Sequence, residues 1–324
     1  MDSRVAAELA AQQGSDEEFV DTAFRLVVRR APDDETRERA LEKLAAGTLS
    51  RATLVHELVT SQEHGRLREL DDAVALGLGA RERRERLRWL QAPPGTDERV
   101  VEVPWVLSRL VPAGRVLEVG YAHAEPAYLA GLLRSGVELV GADLATREVD
   151  GMETVEADVC DLPFATASFD QVLLVSTLEH VGADNAVYGL EGAADGGARL
   201  RALRELSRVL RPGCSLLVTT PLGEPGDHGW FRQEDESGWL DLYAAAGFFV
   251  EDVEAYELVP EGWRANRSFR PEGVRYGERG PAASAVLCAD LGPGRLRRLL
   301  TPGGLRVAAR RRAGRAYRRA RRNL

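Results

Sequence analysis

Between residues 98 and 292, short β-rich runs alternate with helical runs, and this alternation constrains the fold more than any other feature of the chain. The strand candidates are 115–120, 138–143, 153–157, 171–176, 215–220, 249–256 and 285–289. Helical patterns fill 125–134, 199–210 and 234–246. Strands separated by helices pair in parallel through crossovers, so the expectation is an α/β fold with a doubly wound, open sheet. Such sheets take ligands beyond the carboxyl ends of their strands.

The remaining segments read differently. Residues 1–70 repeat apolar positions at helical spacing, as in Phe19, Val20, Ala23, Phe24 and Val27, and predict a small all-helical accessory domain. Ser15, followed by Glu17 and Glu18, suits a helix start. Residues 71–97 predict a connector, with a charged helix over 81–90 and a stop at Ala92-Pro93-Pro94-Gly95. The body at 98–292 is followed by an Arg-rich tail at 293–324.

That tail carries twelve arginines and no acid, whereas the whole chain has a net charge of −8. The other residues therefore sum to −20. An acidic body does not suit nucleic acid, while the basic tail suits an anionic membrane surface. No apolar run approaches the roughly 18 residues that span a bilayer. The start lacks the apolar core of a secretory signal, and three scattered cysteines suggest no disulfide framework. The expected location is cytoplasmic, peripheral at the inner membrane face.

Three strand ends carry the ligand signal. The first is Glu118-Val119-Gly120-Tyr121-Ala122, where Gly120 lets backbone approach a ligand or simply makes a turn. The second is Asp143-Leu144, an acid 23 positions after Gly120. Such an acid accepts from ribose hydroxyls or caps a helix. The third is Asp158-Val159, before Leu162-Pro163-Phe164 and Ser168-Phe169-Asp170.

Taken together, these blocks resemble the class I S-adenosylmethionine-dependent methyltransferases, with Ser176-Thr177-Leu178-Glu179-His180-Val181 and 205–213 completing the pattern. The resemblance implies a Rossmann-like, seven-stranded, mostly parallel sheet and S-adenosylmethionine as cofactor. It places Glu118, Gly120, Tyr121 and Ala122 at the methionine end. Asp143 and Leu144 fall by the ribose, Asp158 and Val159 by the adenine, and Ser176 beneath the sulfonium. The usual glycine-rich loop is here Gly120-Tyr121-Ala122-His123-Ala124, a departure that leaves a non-catalytic scaffold open. Residues 1–70 resemble a helical domain of unknown function with a phycobilisome-linker-like pattern, which implies a protein partner. Three details resemble enzymes of bacterial surface-glycan pathways: 99–105, Thr220-Pro221-Leu222-Gly223 and Gly262-Trp263. They imply O-methylation of a sugar or glycan acceptor. A small-molecule methyltransferase of specialised metabolism is the alternative.

A hydroxyl acceptor needs a base. Glu179, His180, Asp227 and His228 are the candidates near strand ends, with His180 and His228 first. For His180 the reading as a packing residue comes ahead of the catalytic one, and His228 is an equal candidate. No histidine or cysteine spacing suggests a metal site.

Overall fold

The computed structural model describes residues 3–184, 186, 195–280 and 282–293. Of the Arg-rich tail, only Pro293 falls within them. The chain divides into two units, up to Asp72 and from Ala73.

The first unit contains α1 (Ser3–Ala10), α2 (Asp16–Val27), α3 (Asp34–Ala45), α4 (Arg51–Val59) and the start of α5 (Gln62–Glu82). Three of these helix starts are capped by side chains. Ser15 and Glu18 form a reciprocal capping box on α2, Asp33 caps α3 and Ser50 caps α4. Phe19, Val20, Phe24, Val27, Leu54, Val55 and Leu58 close over one another as the core.

The second unit is built on one sheet of nine strands, two more than the seven expected. They are β1 (Gln91–Ala92), β2 (Arg115–Val119), β3 (Glu138–Asp143), β4 (Glu153–Glu156), β5 (Phe169–Val175), β6 (Leu210–Pro221), β9 (Phe248–Val259), β10 (Gly262–Ala265) and β11 (Ala285–Pro293). A two-stranded ribbon, β7 (Gly226–Asp227) with β8 (Arg232–Gln233), stands apart. The order across the sheet is β1-β10-β9-β11-β6-β5-β2-β3-β4. The five strands from β6 to β4 pair in parallel, and the other four join through antiparallel ladders. Only β10 and β11 run against the rest. The two extra strands are short, and both depend on one residue: Gly262 (φ +118°) turns the chain so that β10 returns along β9. A Cβ there would fall 2.1 Å from the Ala92 carbonyl, so the glycine also admits β1.

Helices α6 (Arg99–Leu107), α7 (Pro126–Arg134), α8 (Ala198–Val209) and α9 (Glu236–Ala245) accompany the sheet. Leu117, Val140, Val172, Leu174, Leu216, Val218 and Leu287 meet Leu203, Leu206 and Trp239 in its core. The helix expected over 81–90 does not form; α5 ends at Glu82 and Arg84 turns the chain at φ +58°. Beyond it the backbone is held by distant partners instead of its own turn. Leu87 N–H donates to Ser108 Oγ at 3.2 Å, and Trp89 N–H donates to Glu254 Oε2 at 3.2 Å. No helix among the described residues is long and apolar enough to cross a membrane.

Candidate functional site

The chain leaves β2 outward to β3 and β4, then returns to β5 and β6 on the other side. Strand order therefore reverses between β2 and β5, and the ends of those strands flank a natural crevice. A cavity of about 550 Å³ lies there. That is within the usual range of roughly 300–1,000 Å³ for small-molecule sites.

Gly120 ends β2 with φ +88°, in left-handed backbone. A Cβ on it would sit 2.4 Å from Thr177 Oγ1 and 2.8 Å from its methyl carbon. Thr177 is there because its hydroxyl donates to the Val119 and Val175 carbonyls, at 3.2 and 3.0 Å. The two strand ends are thus drawn together over a residue with no side chain.

The next turn is tied down from β3. Asp143 accepts from Ala122 N–H at 2.9 Å and from Ala145 N–H at 3.2 Å. Arg147 donates to the carbonyls of Tyr121 and Ala124, at 3.4 and 3.3 Å, and its own N–H donates to the Tyr121 hydroxyl. Asp143 lines the crevice, and its carboxylate retains lone pairs for further donors.

The crevice brings together Glu118, Gly120, Asp143, Leu144, Asp158, Val159, Ser176 and His180. It does not bring Tyr121 or Ala122. Tyr121 is fully buried, its ring filling the space that Gly141 leaves by lacking a side chain. Ala122 spends its N–H on Asp143. His228 lines neither described cavity; it is exposed and stacks on Phe231 at 4.4 Å. Asp227 forms an ion pair with Arg232 across the ribbon.

A second cavity, about 90 Å³, adjoins the crevice and shares Arg99, Ser176 and His180 with it. Glu98, Glu179, Pro221, Trp230, Phe231, Tyr276 and Ala283 complete its wall. Ser176 adopts φ +43°, uncommon for a residue with a side chain. It is held there by donating N–H to Thr219 and Oγ–H to Glu102 Oε1 at 2.8 Å. His180 Nδ1 lies 2.9 Å from the Trp230 carbonyl. A carbonyl only accepts, so Nδ1 carries the hydrogen and Nε2 is the basic nitrogen. Burial pushes the imidazole pKa down, against the support of that carbonyl, which keeps the ring neutral.

Buried carboxyls gather at the junction. Burial raises Glu118 to about 8, although the Tyr128 hydroxyl donates to its Oε2 at 3.0 Å. Burial likewise raises Glu179 to about 8 and Glu98 to about 7. Arg99 is also desolvated, but the charges of Glu102 and Glu98 raise its pKa and keep it protonated. Glu98, Arg99 and Glu102, all from the start of α6, escaped the sequence reading as site residues. The legible signal was three charges at 98, 99 and 102 in a run otherwise made of Val, Pro, Trp and Leu.

Residues 117–218 match a family described as methyltransferase domain, and residues 1–67 match a domain of unknown function, DUF4214. No curated protein matches the chain. Among solved structures, one similar fold is the Burkholderia thailandensis 1,6-didemethyltoxoflavin-N1-methyltransferase with bound 1,6-didemethyltoxoflavin and S-adenosylhomocysteine. It has 15% identity and a TM-score of 0.41, over 88% of this chain and 92% of that one. An S-adenosylmethionine-dependent methyltransferase of Methanosarcina mazei has 14% identity and a TM-score of 0.42, over 59% and 98%. The [4+2]-cyclase SpnF has 17% identity and a TM-score of 0.43, over 72% and 97%. Likenesses this distant carry no argument about activity. The crevice itself fits the cofactor of such a domain: a side-chain-free cradle at Gly120, carboxylates at Asp143 and Asp158, and apolar Leu144 and Val159 beside them. Residues 117–218 therefore match a methyltransferase domain, and the crevice has the lining that S-adenosylmethionine needs.

Proposed function

We propose that the chain transfers a methyl group from S-adenosylmethionine to a hydroxyl of a sugar or glycan acceptor. When bound, the cofactor supplies an electrophilic methyl on a positively charged sulfur. In this reading Asp143 accepts from the ribose hydroxyls. Asp158 accepts from the adenine amino group, while Leu144 and Val159 offer apolar contact to its faces. Gly120 leaves room at the methionine end, and Ser176 lies beneath the reactive centre.

The observation that carries the reading is His180. It lines both cavities, so a hydroxyl in the smaller one lies beside a neutral imidazole whose Nε2 can take its proton. His180 Nδ1 stays on the Trp230 carbonyl throughout, which holds the ring in one orientation. Most of the acceleration then comes from holding nucleophile and methyl in line and keeping water out. Aromatic Trp230, Phe231 and Tyr276 beside Glu98 and Glu179 suit a ring with apolar faces and hydroxyl edges. At about 90 Å³ the smaller cavity admits a hydroxyl and part of the ring that bears it.

The test is incubation with S-adenosylmethionine and a panel of sugar nucleotides and lipid-linked glycans, read by mass spectrometry. The expected product is an acceptor with one added methyl. Turnover on another class of metabolite, with none on these, refutes the glycan reading.

A further inference from the structure

The crevice and the smaller cavity meet over a floor that holds more buried carboxyls than cations. Glu98 and Glu102 come from α6, Glu118 from β2 and Glu179 from the turn after β5. All four are at most 7% exposed, and Arg99 is the guanidinium among them. Three are accounted for by their partners. Glu102 accepts from Arg99 and Ser176, Glu98 from Ala283 N–H, and Glu118 from Tyr128.

Glu179 differs. It is 3% exposed, its Oε2 makes no hydrogen bond, and it is one of the residues that line the smaller cavity. Among the described residues, the cation whose charge acts on it is Arg99, which is already shared with Glu98 and Glu102. From its own turn it faces His180, which is neutral, with Nε2 3.9 Å from Oε1. From α6 come Glu98, Arg99 and Glu102. Tyr243 also faces it, and Tyr128 and Cys288 stand near the other acids of the floor; burial holds all three neutral. A buried carboxylate left without a partner costs several kcal/mol. The floor therefore keeps protons at neutral pH, consistent with the upward shifts of Glu98, Glu118 and Glu179.

We propose that this carboxyl cluster is the counter-charge for a cation lodged at the junction of the two cavities, so that the site prefers the sulfonium donor to its neutral thioether product. The inference rests on the reading above, in which the reactive sulfur lies over Ser176. Sulfur is positive before transfer and uncharged after it, because the electron pair of the broken sulfur–methyl bond stays on sulfur. A cation at the junction favours the ionised carboxyls and expels a proton. Affinity for the donor then rises with pH, and affinity for the product does not follow. When the charge disappears, the floor loses its counter-ion and the product is released more readily.

The experiment is calorimetric titration of the full chain with S-adenosylmethionine and with S-adenosylhomocysteine, at pH 6 and pH 8, in two buffers of different ionisation heat. The two ligands share their adenosine and amino-acid ends, so their difference isolates the charge on sulfur. Between pH 6 and 8 the donor's Kd is expected to fall about 10-fold more than the product's, which is about 1.4 kcal/mol. Proton release accompanies only that excess. Glu179→Gln is expected to shrink the excess to about 3-fold or less while product affinity is unchanged. Glu98→Gln serves as the second variant. Equal pH dependence for the two ligands overturns the inference and leaves the cofactor assignment standing, as does a full excess in both variants. Binding of neither ligand at either pH overturns the cofactor assignment and the inference together.

Discussion

Replacing Gly120 with alanine separates two costs that the structure keeps apart. The first is backbone strain: at φ +88° an L-residue loses roughly 1–2 kcal/mol. The second is collision, since the new Cβ would lie 2.4 Å from Thr177 Oγ1 and 2.8 Å from its methyl carbon. Thr177 cannot swing away without abandoning the Val119 and Val175 carbonyls. Overpacking of this kind adds about 1–3 kcal/mol. The sum is about 2–5 kcal/mol. Gly136→Ala is the control, because Gly136 also has positive φ (+77°) but meets nothing within 4 Å. It should cost about 1–2 kcal/mol. Urea unfolding followed by tryptophan fluorescence reads the second unit alone, since all five tryptophans lie beyond Asp72. With a slope of about 3 kcal/mol per molar, Gly120→Ala should lower the midpoint by roughly 1 M. The double variant Gly120→Ala/Thr177→Ala should recover part of that loss, because it deletes both clashing atoms. If Gly120→Ala costs no more than Gly136→Ala, the close approach of the two strand ends is not what demands glycine.

Three further outcomes follow from the site. His180→Gln should lower kcat by about 10²- to 10⁴-fold while cofactor affinity, measured by titration calorimetry, changes little. Arg147→Ala should weaken cofactor binding about 10-fold by freeing the Tyr121 and Ala124 carbonyls, and a wild-type Kd would refute the clamp. Glu98, Glu118 and Glu179 are protonated in the fold over a range where the unfolded chain ionises them. Stability of the ligand-free protein should therefore fall as pH rises from about 4.5, the unfolded value, through the folded values near 7 and 8. Urea midpoints at pH 5 and 8 check this, and Glu118→Gln should flatten the difference.

The parallel half of the sheet was legible because its central strands are short apolar runs, ended by Gly120 after β2 and by Asp143 in β3. Their pairing leaves nothing for sequence context to override. The edge strands were not legible: β1 has two residues, and its place depends on Gly262, some 170 positions away. Helix α6 was hidden by Pro104, which ordinarily argues against a helix interior. In the site, acids at strand ends were readable from position alone. The orientation of Tyr121 was not, because it is decided by the vacancy over Gly141 on the next strand. The burial of Glu98 and Glu102 was hinted at only by the apolar run around them, since charges at a helix start usually face water.

The carbonyl that holds His180 belongs to Trp230, in the excursion between β7 and β8. That excursion also supplies the indole and the Phe231 ring that wall the smaller cavity. One loop thus governs both enclosure and prototropy. Were it to lift away, the imidazole would lose the partner that selects its tautomer at the same instant that the acceptor lost its wall. In the proposed reading, the imidazole is oriented as a base when this excursion is in place.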